Sequence, residues 1–78
     1  MAEGRIPPQS IEAELSVLGA MMLKQAAVTQ ATEMLRADDF YRQAHRAVFE
    51  AMDGLARSGE PVDIVTVTEA LKKVGLLD

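Results

Sequence analysis

The stretch DDFYRQAHRAVFEAMDGLARSG, residues 38–59, decides how the rest of the chain is read. On a wheel turning about 100° per residue, Ala44, His45, Val48, Phe49, Ala51, Met52, Leu55 and Ala56 gather in one arc with Tyr41. Arg42, Gln43, Arg46, Glu50, Asp53 and Arg57 fill the opposite side, which reads as a solvated face pairing its own charges at spacings of three and four. A split this clean predicts an amphipathic helix over 41–58 with one buried face. Asp38 or Asp39, the latter first, is the candidate N-cap, because a carboxylate can accept bonds from first-turn N–H groups that have no partner in the helix. Gly59 can take the left-handed conformation that closes the last turn. Tyr41, His45, Val48, Phe49, Met52 and Leu55 become candidate core residues, with Phe40 as a hydrophobic staple just ahead of the first turn.

Toward the N-terminus, residues 25–36 predict a surface helix with Ala27, Val28, Ala31, Met34 and Leu35 inward. Before it, residues 11–23 carry Ile11, Leu15, Leu18 and Met22 at core spacing, and a second apolar strip through Ala13, Val17, Ala20 and Met21. A helix apolar nearly all round is expected to be buried on two sides. Leu15, Leu18 and Met22 are therefore core candidates, and Val17 and Met21 are interface candidates. Gly19 costs ~1 kcal/mol of helix propensity relative to alanine, so its expected use is the close approach of another backbone. Ser10 can cap this helix, and Pro7-Pro8 keeps the preceding chain extended, so residues 1–9 read as a tail.

Toward the C-terminus, Glu60-Pro61 ends the central helix. Val62 to Thr68 has the β-branched composition of a strand, but Ile64, Val67, Leu71 and Val74 recur at helical spacing, and strict alternation fails. The spacing predicts a helix over 64–74, capped by Asp63 and closed by Gly75, with Leu71 in the core. A later start at Thr66, with Glu69 as capping-box partner, is the alternative. Leu76 and Leu77 are further interface candidates. The expectation is an all-α domain of about four helices spanning residues 10–78.

A chain of 78 residues has room for one small domain, and such domains bury only ~60% of the surface their unfolded chain exposes. No apolar run is long enough for a bilayer and there is no charged-then-apolar leader, so a cytoplasmic location is expected, with no membrane partner. The absence of cysteine excludes disulfides and thiolate metal sites. A formal charge of −4 argues against direct nucleic-acid binding. No phosphate-cradling glycine loop is present, so no catalytic, cofactor-binding or metal-binding residue is assigned. His45 reads as a core or semi-buried histidine held by a hydrogen bond, because the partners a metal or acid-base role requires are missing.

The series Pro7-Pro8-Gln9-Ser10-Ile11-Glu12-Ala13-Glu14, Val17-Leu18-Gly19-Ala20, Asp39-Phe40-Tyr41, His45, Val48-Phe49, Gly59-Glu60-Pro61-Val62-Asp63, Val65-Thr66, Leu71 and Gly75-Leu76-Leu77 resembles the N-terminal domain of the bacterial replicative DNA helicase, the DnaB family. The likeness covers nearly the whole chain in order, and the Pro-Pro-Gln, Asp-Phe-Tyr and Pro-Val-Asp blocks are specific as a set. Ser10 stands where the family has asparagine, and Leu15 where it often has a polar residue, a departure that bears on how exposed that position is. The resemblance implies a helical head that precedes a helical hairpin, a linker and a RecA-like motor. It further implies a hexamer built as a trimer of dimers, with primase and the helicase loader as partners. ATP, magnesium and 5′ to 3′ DNA unwinding would belong to the motor, outside these residues. Two other classes stand beside this one: a free-standing protein-interaction module, and a small DNA-binding domain, which would need a basic recognition helix.

Overall fold

The structure, a computed structural model, describes residues 11–76. It comprises four α-helices, α1 (Ile11–Leu23), α2 (Gln25–Met34), α3 (Gln43–Arg57) and α4 (Ile64–Lys73), with a short 3₁₀ turn at Ala37–Asp39 between α2 and α3. No strand occurs among the described residues, so the fold is all-α as the patterns predict. α3 packs against α1, α2, α4 and the 3₁₀ turn, which makes the amphipathic helix the hub of the domain.

The core follows from that arrangement. Phe49 and Met52 of α3 are buried, Met52 completely, and around them lie Leu18 and Met21 of α1, Val28 of α2, Phe40, Val62, and Val67 and Leu71 of α4. The rings of Phe40 and Phe49 lie 5.0 Å apart, centroid to centroid, at a tilt of 36°. Aromatic pairs in such offset geometry contribute about 0.5–1.5 kcal/mol beyond their area. Val48 and Leu55 of α3 and Met22 of α1 are half-buried against this cluster.

The helix ends are locally encoded. Gly59 (φ 75°) and Gly75 (φ 77°) both take the left-handed region. At the first, Glu60 N–H donates to Leu55 O at 2.9 Å and Gly59 N–H to Ala56 O at 3.1 Å; at the second, Leu76 N–H donates to Leu71 O at 2.9 Å and Gly75 N–H to Lys72 O at 3.0 Å. These paired bonds satisfy carbonyls that the last helical turn leaves open. At the start of α4, Asp63 Oδ1 accepts Thr66 N–H at 2.9 Å and Thr66 Oγ1 accepts Asp63 N–H at 3.0 Å. Thr66, rather than Glu69, completes the capping box, and this local closure lets a β-branched segment start a helix at Ile64.

Other expectations are corrected. α3 begins at Gln43, because Arg42 is extended (φ −81°, ψ 134°). Tyr41 therefore lies outside the helix, where its wheel position has no meaning, and it is 53% exposed rather than core. Leu15 is 55% exposed and Met21 only 1%, the reverse of their expected core and interface places. The buried arc of α1 runs through Leu18 and Met21, and a helix apolar on all sides gives its wheel no means of choosing that arc. No atom of a neighbouring element comes within 4 Å of a Cβ built on Gly19, so among the described residues nothing makes the close approach expected there. α2 stops at Met34, because Leu35 and Arg36 are extended (ψ 159° and 162°), and Met34 is 79% exposed. Ser10, Leu77 and the tail at 1–9 lie outside the described residues.

Truncating Phe49 to alanine should remove both the ring pair and the filling of the core, at a cost of about 3–5 kcal/mol, a large share of a small domain's stability. Thermal melts followed by circular dichroism measure it; a melting temperature within about a degree of the parent would contradict the core assignment.

Candidate functional site

The polar centre of the domain is built by two helices far apart in sequence. The carboxylate of Glu14, projecting inward from α1, accepts Tyr41 N–H at 2.5 Å through Oε2 and contacts His45 Nδ1 at 2.6 Å through Oε1. A carboxylate only accepts, so Nδ1 carries the proton and donates it. Both side chains are largely covered, at 12% and 11% exposure for His45 and Glu14. His45 is thus a semi-buried histidine held by a hydrogen bond.

Asp39 does not provide the cap expected of it. The Asp39 carboxylate instead accepts Arg36 N–H at 2.8 Å and closes the 3₁₀ turn. Arg42, the N-cap of α3, provides no side-chain bond to the helix. The N–H groups approaching α3 are met by Glu14, 27 residues earlier than Tyr41. Burial alone would raise the Glu14 carboxyl, but the bonds from Tyr41 N–H, His45 and Arg42 N–H outweigh it and hold the group below its ordinary value of 4.5.

The arginine-bearing face of α3 is only partly what its spacing suggests. Arg57 Nε pairs with Asp53 Oδ2 at 2.9 Å, an i, i+4 pair. Arg46 turns back instead and its Nε–H donates to Phe40 O at 2.7 Å in a half-buried setting. The expectation that Arg46 lies on the solvent side is therefore wrong: it holds the loop that places Phe40 in the core.

Among the described residues, no group of three or more His, Asp or Glu side chains is placed to hold a metal ion. No described helix is long and apolar enough to cross a membrane. What the surface offers is apolar side chain: Leu15 and Leu23 on α1, Ile64 and Val65 at the start of α4, and Val74 and Leu76 at its end are all more than half exposed. Of the interface candidates, Leu76 is exposed, Val17 is half-buried against the core, and Met21 is inside it. Between α3 and the end of α4 runs an open groove of about 520 Å³, lined by Ala47, Ala51, Gly54, Leu55, Leu71 and Val74 among others. Individual wheels missed it, because it belongs to the angle between two helices.

The Glu14 cluster sets a pH dependence. A carboxyl whose folded value is lowered contributes stability that is present in full above its unfolded value and is lost as pH falls through the folded one. The contribution should begin to fade near the ordinary value of 4.5 and be gone below the lowered one. Glu14→Gln should melt lower than the parent at neutral pH, with the gap closing through that acidic window. Chemical denaturation of both proteins across pH reads this; a gap constant with pH would refute the role of the charge.

Three comparisons with known proteins agree. The family profile described as the DnaB-like helicase N terminal domain matches residues 6–78. The chain is 53% identical over 74 residues to the replicative DNA helicase DnaC of Bacillus subtilis, covering 95% of this chain and 16% of that protein. It is 60% identical over 67 residues to the replicative DNA helicase DnaB of Geobacillus stearothermophilus, covering 86% of this chain and 15% of that protein. The chain thus spans a small fraction of the relatives it matches. In structure it resembles the crystal structure of the N-terminal domain of DnaB helicase from Mycobacterium tuberculosis, with a TM-score of 0.85 and 48% identity over 91% of this chain and 49% of that one. With its helices in the same arrangement and its sequence matched almost end to end, this chain belongs to the DnaB-like helicase N-terminal domain family.

Proposed function

We propose that residues 10–78 form the head of the collar of a replicative DNA helicase, an assembly and docking unit with no catalysis of its own. Its ligands are then other copies within a hexameric ring arranged as a trimer of dimers, the primase, and the helicase loader, all in the cytoplasm. ATP, magnesium and DNA unwinding are assigned to a motor elsewhere in the longer protein. The observation that carries this reading is the surface of a domain in a replicative helicase family. Leu15, Leu23, Tyr41, Ile64, Val65, Val74 and Leu76 are all more than half exposed, and Val74 and Leu76 line one groove with Leu71; apolar side chain grouped in this way supports a surface that meets protein. The formal charge of −4 points the same way, because non-specific DNA affinity comes largely from neutralising phosphates with basic groups.

The expected outcome is no ATP turnover and no binding of labelled single-stranded DNA at physiological salt. Calorimetric titration with the helicase-binding domain of a primase should show weak binding to this chain and tighter binding to the longer N-terminal fragment. Analytical ultracentrifugation at micromolar concentration should show no stable hexamer of the 78-residue chain. Tight DNA binding with no response to primase would overturn the reading in favour of a DNA-binding domain.

A further inference from the structure

We propose that Glu14 and His45 form a pH-responsive latch on the backbone of residues 41 and 42, the segment that presents Tyr41 at the surface, and that the latch opens and closes while the core stays folded. It is a local device, distinct from the contribution of Glu14 to global stability, and it stands whatever partner covers the domain.

The geometry is that of one acceptor among donors. Glu14 Oε2 accepts Tyr41 N–H at 2.5 Å, Oε1 accepts the Nδ1–H of His45 at 2.6 Å, and Arg42 N–H also donates to the carboxylate. A proton on Glu14 adds a further donor to a site where three donors already converge, so its hydrogen has no acceptor among them and the cluster must part. A proton on His45 acts the other way. Nδ1 already carries a hydrogen, so the second goes to Nε2, and the bond to Glu14 becomes one between opposite charges. The latch therefore tightens as His45 charges and releases as Glu14 is neutralised.

The surroundings leave the pair to itself. α1 packs on α2 and α3. From α3 the charged groups are His45 and Arg46, whose guanidinium is turned to Phe40 O; just ahead of the helix, Arg42 meets Glu14 through its N–H, and its side chain is exposed. On the 3₁₀ turn Asp39 is engaged by Arg36 N–H and Asp38 is exposed, as are Glu33, the charged residue of α2, and Glu12 on α1. Release is also bounded along the chain. Phe40 is held separately, by Arg46 at 2.7 Å and by its ring against Phe49, and from Arg42 O onward the α3 ladder takes over, with Arg46 N–H donating to it at 3.0 Å. Tyr41 is 53% exposed, so freeing it takes no side chain out of the core.

Amide hydrogen exchange followed by NMR across pH, read as protection factors, tests the latch in the unmodified chain. Protection at Tyr41 and Arg42 should rise as the ring C–H signals of His45 titrate. It should then fall about tenfold or more as the pH drops below 4.5 and Glu14 is neutralised, while Phe49 and Met52 keep theirs. Tyr41 is the only tyrosine and there is no tryptophan, so a drop in tyrosine fluorescence anisotropy should accompany the release. Glu14→Gln carries a permanent donor and should show the low protection at 41 and 42 already at neutral pH, with no acid step. His45→Gln keeps a donor but cannot charge, and should lose only the rise. If Glu14→Gln fails to fold, the pH series on the parent decides alone. Protection at 41 and 42 that ignores both titrations, or that is lost together with that of Phe49 and Met52, would overturn the proposal.

Discussion

α3, on which the other elements pack, is entered by a backbone whose N–H at Tyr41 finds no acceptor in its own segment. Its N-cap is Arg42, a residue with only donors to offer, and the nearest aspartate is spent on the 3₁₀ turn. The acceptor comes from α1 through Glu14, which also holds His45 in the first turn of α3. That single carboxylate fixes how α1 rolls about its axis. With Glu14 turned inward, Leu18 and Met21 follow it into the core, and Leu15 is carried to the surface.

Much of the fold was legible because its signals are local. The amphipathic arc of α3, the glycines at 59 and 75, and Asp63 ahead of α4 each act within a few residues, and each occurs where its pattern places it. What could not be read is what depends on another element. The roll of α1 is set by α3, and the fate of Arg46 by the carbonyl of Phe40. The exposure of Tyr41 is decided by Arg42 remaining extended. An inward glutamate was visible as a polar residue on an apolar helix, but nothing in its own neighbourhood names a partner 27 residues away.

The two polar tethers of the α2–α3 connection act on the same short segment from opposite sides. Glu14 receives the N–H of Tyr41, while Arg46 donates to the carbonyl of Phe40. Between them the backbone at 40 and 41 is held from both ends of its hydrogen-bonding capacity, which aims the Phe40 ring at Phe49 and leaves the Tyr41 side chain facing outward. An aromatic fixed at the surface by a rigid backbone loses little side-chain freedom when a partner covers it, and partners reward such residues more than flexible ones.

The same economy explains why α1 looks poorly designed as an isolated helix. A helix serving one interface needs one apolar stripe, yet α1 buries Leu18 and Met21 and still presents Leu15 and Leu23 on its other side with Gly19 between them. Leaving these residues in water offers the head no stabilisation, and glycine in a helix interior weakens it by ~1 kcal/mol relative to alanine. Selection for the stability of this fold alone would favour polar residues at 15 and 23 and alanine at 19, since a Cβ there meets nothing within 4 Å. Under the assembly role proposed above, their apolar and small character has a use, as a surface that another protein covers.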